Sequence, residues 1–223
     1  MGKIELDHTG SGSGITLSSD GTSLLLDGTA IGGGSSYNLI VENYSNGTSP
    51  TVTGNDSVAI GDSCVASGVD TFAAGYLATA AGAQGVALGV ATVSSGTTNG
   101  AAALGYLATV GAGQSGVALG KSYTSGNHAF AAVITNNTSS YGATGAYSIA
   151  GGYLNKATAS DTLCWGGDSN LVTNGQAAVV GGWMNQAEGG YSFIGGGRNN
   201  RALASFSRAG GHDADTNDDH GKD

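Results

Sequence analysis

A short apolar segment closing on glycine returns every fourteen to sixteen residues along most of this 223-residue chain. It reads Val58-Ala59-Ile60-Gly61, Phe72-Ala73-Ala74-Gly75, Val86-Ala87-Leu88-Gly89, Ala102-Ala103-Leu104-Gly105 and Val117-Ala118-Leu119-Gly120. After one degenerate turn it comes back as paired glycines: Gly151-Gly152, Gly166-Gly167, Gly181-Gly182, Gly195-Gly196 and Gly210-Gly211. Spacings are 14, 14, 16 and 15 in the first block, then 15, 15, 14 and 15 from Gly152 through Gly167, Gly182 and Gly196 to Gly211. So short a repeat has no room for two helices, and each unit reads as one coil of a β-solenoid. The expected fold is all-β: a parallel β-roll of about eleven coils of 14–16 residues with a small N-terminal β element.

Composition narrows the class. Glycine supplies 42 residues but follows no three-residue period, and Pro50 is the sole proline, so collagen is excluded. Simple disorder fits poorly, because Val, Ile, Leu, Ala and aromatics recur in register while only 10% of residues are charged. The absence of any apolar run of about eighteen residues predicts no membrane insertion. Met1-Gly2-Lys3-Ile4-Glu5-Leu6-Asp7 has no basic-then-apolar signal pattern, which predicts a product made without a leader. A net charge of −9 with seven scattered basic residues argues against nucleic acid as a partner. Cys64 and Cys164 fall in coils too far apart to bridge, so free buried thiols and assembly in a reducing cytosol are expected.

Along the chain, residues 1–34 read as a separate β element for attachment. Ile15-Thr16-Leu17-Ser18 and Ser23-Leu24-Leu25-Leu26 flank a turn in which Gly21 supplies positive φ. Residues 35–56 form a junction, with a strand at Asn38-Leu39-Ile40-Val41-Glu42 and turns at Asn46-Gly47 and Ser49-Pro50. Residues 57–120 carry the first style of coil. Residues 121–145 are a degenerate coil, Ala131-Ala132-Val133 replacing the glycine mark, with an outward loop around 136–141. Residues 146–211 carry the second style, in which an asparagine follows the paired glycine by three residues. Asn155, Asn170, Asn185 and Asn199 should therefore stack as an amide ladder. Residues 212–223 read as an acidic tail.

The slot after the marker glycine holds Tyr76, Tyr106, Tyr153 and Trp183, alternating with Asp62, Val90, Lys121, Asp168 and His212. Stacked along one edge, these aromatics, together with Tyr141 in the loop, are candidates to grip a receptor such as a glycan. Packing over neighbouring turns is the competing reading. Asp213, Asp215, Asn217 and Asp219 fall at alternate positions of a calcium-loop spacing, but Asp218 stands where that loop needs glycine, so no metal is expected. Glycosidase chemistry needs two carboxyl groups within about 5–10 Å. Asp161, Asp168 and Glu188 lie on separate coils, and His8, His128, His212 and His220 show no nucleophile arrangement. Neither catalysis nor a cofactor is expected.

A coil this thin encloses mostly Ala, Val, Ile and Leu. At about 25 cal/mol per Å² it offsets poorly the chain entropy of ~1–2 kcal/mol per residue. Leftover apolar positions, including Leu77, Leu107 and Leu154, point to pooling of faces between chains. These considerations alone do not separate two chains from three.

Ser57-Val58-Ala59-Ile60-Gly61-Asp62-Ser63-Cys64-Val65-Ala66-Ser67-Gly68 resembles the head repeat of trimeric autotransporter adhesins of the YadA type, with Cys64 where that pattern has alanine. The resemblance covers about a third of the chain, and it implies a left-handed parallel β-roll, a homotrimer and an adhesive role. The opening Ile4-Glu5-Leu6-Asp7-His8-Thr9-Gly10-Ser11-Gly12-Ser13-Gly14-Ile15-Thr16-Leu17 resembles bacteriophage fibre and virion proteins, those of cyanophages in particular. Together these imply a tail-fibre or virion-appendage protein, assembled in host cytoplasm and exposed on the virion. Its partners would be other virion proteins at the N-terminus and a host cell-surface receptor. A purely structural spacer or decoration protein, or a bacterial adhesin head fragment, is the alternative.

Overall fold

A fourteen-residue ring of chain closes only if it turns sharply at two corners, and this chain turns by placing non-glycine residues in the left-handed region. Asp56, Asp70, Gln84, Asn99, Ser115, His128, Tyr147, Asp161, Gln176, Tyr191 and Phe206 make the first corner of eleven successive coils, with φ between 50° and 65°. Ser63, Leu77, Leu107, Leu154, Ser169, Met184, Asn199 and Asp213 make the second, with φ of 52–57°. Each such residue costs roughly 1–2 kcal/mol in backbone sterics. What holds them is a hydrogen bond to the coil before: Leu77 N–H to Asp62 O at 2.9 Å, Ser169 N–H to Tyr153 O at 2.8 Å, Tyr147 N–H to Asn127 O at 2.7 Å. Residues opening a strand donate the other way, as Val58 N–H does to Thr71 O at 2.9 Å, so each coil is tied to both neighbours.

The computed structural model describes residues 48–97 and 99–217, with the backbone of strands at 4–6, 15–19, 24–26, 29–31 and 39–41. It is a parallel β-solenoid with no helix among the described residues. Hence none there is long and apolar enough to cross a membrane. Near the N-terminus, β1 (Ile4–Leu6), β2 (Ile15–Ser19), β3 (Leu24–Leu26) and β4 (Thr29–Ile31) form an antiparallel meander. The solenoid begins earlier than expected: Leu39–Val41 pairs in parallel with Val58–Ile60, and Thr51–Val52 with Val65–Ala66, so the junction already holds coil strands. It also ends later. Arg208–His212 and Asp215–Thr216 are strands, so the coil runs into the segment expected to be an acidic tail.

The core is a thin line of small side chains. Ala59, Ala73, Ala87, Ala103, Ala118, Ala131 and Ala150 stack in one inward column, continued by Cys164, Val179 and Ile194. Opposite them run Ala66, Ala80, Val93, Val110, Thr124, Ala143, Ala157, Val172, Ala187 and Ala202. Where one column carries a larger residue the other stays small, as in Ala87/Val93, Ala103/Val110, Val179/Ala187 and Ile194/Ala202.

At most marker positions a side chain would not fit between coils, though Gly120 and Gly211 have open space beside them and are set by positive φ alone. At Gly61, φ is +106° and an added Cβ would lie 2.1 Å from Gly75 O. The column continues through Gly89, Gly105 and Gly120, then Gly152, Gly167, Gly182 and Gly211, but its fourth member in the second block is Gly197, not Gly196. The asparagine ladder shifts with it. Asn155, Asn170, Asn185 and Asn200 are buried, whereas Asn199 is the exposed left-handed corner residue. Each ladder amide accepts from the next backbone N–H: Asn170 N–H to Asn155 Oδ1 at 2.9 Å, Asn185 to Asn170 at 3.0 Å, Asn200 to Asn185 at 3.0 Å. Its Nδ2 donates to two carbonyls, one four residues back and one on the following coil. For Asn185 these are Gly181 O at 3.0 Å and Gly197 O at 3.1 Å.

Cys64 occupies the same slot in the first block. Its thiol meets Ile60 O and Gly75 O, both at 3.3 Å, again four residues back and one coil on. The two styles of coil are therefore one architecture with different donors in a single position. Asn185→Ala should cost roughly 2–4 kcal/mol by orphaning the buried Asn200 N–H, and Asn199→Ala at most about 1 kcal/mol. Urea midpoints of the two variants check this; equal shifts would refute the ladder as drawn.

Candidate functional site

The second corner carries the aromatic slot to the surface. Tyr76, Tyr106, Tyr153 and Trp183 are 55%, 66%, 49% and 39% exposed, so the corner leaves much of each ring open to solvent. Strand register aligns Val90 with Tyr106, and Tyr153 with Asp168; isolated bridges align Asp168, Trp183 and Arg198. Leu77, Leu107 and Leu154 sit beside them at left-handed corners, so they belong to this edge and not to a flat apolar face. Tyr141 lies elsewhere. It is half-buried against the core, and Lys156 Nζ sits 4.5 Å above its ring. The outward loop is where the sequence placed it: residues 136–140 intervene between left-handed Thr135 and Tyr141, largely exposed, while Ile134 before them is fully buried.

The richest part of the second corner is its last three coils. The Arg198 guanidinium lies 4.4 Å from the Trp183 ring centre, close enough for a cation–π contact. Asn199 Nδ2 donates to Asp213 Oδ1 at 2.8 Å, and His212 Nδ1 lies 2.9 Å from Asp213 Oδ2. These residues and Met184 line an open cleft of about 430 Å³, within the range of small-ligand sites. Trp183 gives it an apolar wall and Arg198 a cation, and no described acid pairs with Arg198.

The three carboxylates weighed for glycoside hydrolysis stand at different places on the coil. Asp161 stands at the first corner, accepting from Gln176 Nε2 at 3.1 Å. Asp168 is at the second corner with Ser169 Oγ at 2.7 Å, and Glu188 is beside Arg201 at 3.7 Å on the second strand's outer side. No set of three metal-ligating side chains converges among the described residues. Asp213 and Asp215 are coil residues engaged by Asn199 and Arg201, Asn217 is exposed, and Asp219 lies outside the described residues. His8 and His220 also lie outside them, while His128 stacks on Tyr147 at 5.2 Å.

Two surface features escaped the sequence reading. The first corner carries its own ladder, His128, Tyr147, Asp161, Gln176, Tyr191 and Phe206, in which Tyr191 and Phe206 stack at 4.9 Å with 3° between planes. Its spacing of 14 to 15 residues from Tyr147 onward was available as a signal. The outer side of the marker strand carries Phe130, Ile149, Leu163, Trp165 and Val180 as one apolar patch, with Phe130 and Trp165 stacked at 6.2 Å. The first glycine of a pair serves this patch: an added Cβ at Gly151 would meet the Trp165 indole at 2.4 Å.

No protein-family model matches the chain, and no curated protein is detectably similar to it in sequence.

Both thiols are buried and free. Burial raises the pKa of Cys64 and pushes that of Cys164 up to about 12. The fold therefore favours the neutral thiol while the unfolded chain ionises near pH ~8.5. Stability is retained below that pH and lost as pH rises from about 9 toward 12. Cys164→Ala, matching Ala150 on the coil below, should lose less stability between neutral and alkaline pH than the parent, as read by denaturant midpoints.

Proposed function

We propose that this chain is the attachment rod of a virion, built from three parallel copies, whose second-corner edge contacts a cell-surface glycan or protein. The observation that carries the contact is the exposed Trp183 paired with Arg198, which makes no ion pair among the described residues, beside an open cleft that Asp213 also lines. Stacked aromatic and guanidinium groups bind sugar rings and planar polar groups through one surface. The resemblance of residues 57–68 to adhesin head repeats supports the same reading.

Assembly from several copies is supported by the unequal outer faces of the coil. Beside the marker strand the outward rows are apolar, with Val58, Ile60, Phe72, Leu88, Leu104 and Leu119 continuing into the Trp165 patch. Beside the second strand they are mostly polar, with Thr79, Thr92, Thr109, Lys156, Gln186 and Glu188 interrupted by Val65, Tyr123 and Leu171. A long, more continuously apolar face on one side is expected to be covered in the working molecule. Meeting of three such faces around an axis is the arrangement that the resemblance implies.

A spacer role is the second reading, favoured by the changing chemistry of the second corner from Asp62 through Val90 to Lys121. Light scattering should give three times the 21.6 kDa chain mass. Trp165→Glu should reduce it to one. Fluorescent protein should adsorb to host cells, and Trp183→Ala should weaken adsorption at least about tenfold, as for a buried aromatic anchor. Adsorption indifferent to Trp183, with incorporation into particles lost on removing residues 1–34, would establish the spacer instead.

A further inference from the structure

The three arginines of the chain, Arg198, Arg201 and Arg208, all stand in its last coils, and they are used differently. Arg201 is held between Glu188 and Asp215, each at 3.7 Å, and Arg198 lies on Trp183. Arg208 has no ion pair and no aromatic face beneath it among the described residues. It ends an outward row in register with Ala178 and Phe193. There it borders a cleft of about 510 Å³ whose other walls are Gln176, Ala178, Tyr191, Ser192 and Phe193.

The walls are fixed from behind. Tyr191 is stacked flat on Phe206, and Gln176 Nε2 is engaged by Asp161 Oδ2 at 3.1 Å, which leaves Gln176 Oε1 free to accept. Tyr191 and Phe193 are 56% and 42% exposed in the single chain, and Phe193 and Arg208 lie on the marker-strand row past the apolar Trp165 patch, where the row turns polar. Ser192, 1% exposed, backs the cleft with its backbone; its Oγ is buried and without a partner among the described residues, as is that of Ser207 one coil on. The cleft thus joins one guanidinium without an ion pair, an amide oxygen able to accept, and two aromatic surfaces. No carboxylate lines it.

We propose that this cleft binds a carboxylated pyranose, a uronic acid unit of an acidic polysaccharide. The guanidinium takes the carboxylate through two parallel N–H donors. The aromatic surfaces take the apolar face of the ring, and Gln176 Oε1 accepts from a ring hydroxyl. The inference rests on reading the rod as an attachment body, but it concerns the opposite corner from Trp183, so the two can fail separately.

The test uses the full chain at physiological ionic strength, where repulsion from a net charge of −9 is screened beyond about 8 Å. The probes are methyl glucuronide and its neutral counterpart, methyl glucoside, followed by saturation-transfer NMR and titration calorimetry. The glucuronide should bind at least about tenfold more tightly, as a charge-assisted pair requires. Arg208→Gln should abolish that preference and Arg208→Lys reduce it, while Trp183→Ala leaves it unchanged. Equal binding of the two sugars, binding of neither, or a preference surviving Arg208→Gln would overturn the proposal. So would a fall in molecular mass on Arg208→Gln, because the cleft would then receive a carboxylate from another copy of the chain. Loss of cell adsorption in Trp183→Ala with an intact glucuronide preference would uphold both sites.

Discussion

The hydrogen-bond tie between successive coils is the constraint on which everything else in this chain depends. Each ring buries little more than alanine, so its side chains do not define it alone. Its shape is set by donors and acceptors that must meet those of the rings on either side. That demand explains the residues that look costly in isolation. A leucine at φ 57° or a valine at φ 57° is a poor choice for an isolated turn, yet Leu77 and Val133 keep it because their N–H groups reach back to Asp62 O and Leu119 O. Glycine at Gly61, Gly75, Gly167, Gly182 and Gly197 answers the same demand, since a side chain there would drive neighbouring backbones apart.

Side chains enter this scheme as substitutes for backbone. The ladder amides of Asn155, Asn170, Asn185 and Asn200 supply one acceptor and two donors at the corner where strand pairing lapses. A thiol at Cys64 supplies a weaker version with the same two carbonyl positions as acceptors. Alanine at Ala78 and Ala108 supplies none, so the slot tolerates a wide range of chemistry when the coil around it is otherwise closed. The first block and the second therefore differ in how tightly one corner is laced, not in how the chain runs.

The period, the parallel stacking and the small inward columns were legible because glycine and alternating small residues report backbone geometry directly. Register was less so where the sequence repeats itself: Gly195-Gly196-Gly197 and Asn199-Asn200 offer two equivalent alignments, and only burial separates Asn200 from Asn199. The limits of the solenoid were misjudged for a related reason. Leu39–Val41 and Asp215–Thr216 lack the marker glycine, yet a strand needs only a neighbour of matching direction to join the stack. At the candidate site, the Trp183 slot was visible from spacing, whereas its partner Arg198 was not. Their contact depends on a one-residue slip inside the triple glycine. Trp165 was missed because its column shrinks from Leu119 through Ala132 to Gly151 just before it, so the row of large apolar residues seems to end where the tryptophan resumes it.

The excursion at residues 136–140 shows what such an architecture permits. It leaves the stack after buried Ile134 and left-handed Thr135 and rejoins at Tyr141, where Gly142 N–H again finds Asn155 O at 2.9 Å. Rings above and below keep their pitch. A second-corner position of this kind is a splice point, where evolution can lengthen, shorten or exchange an ornament without re-indexing the shaft that carries it.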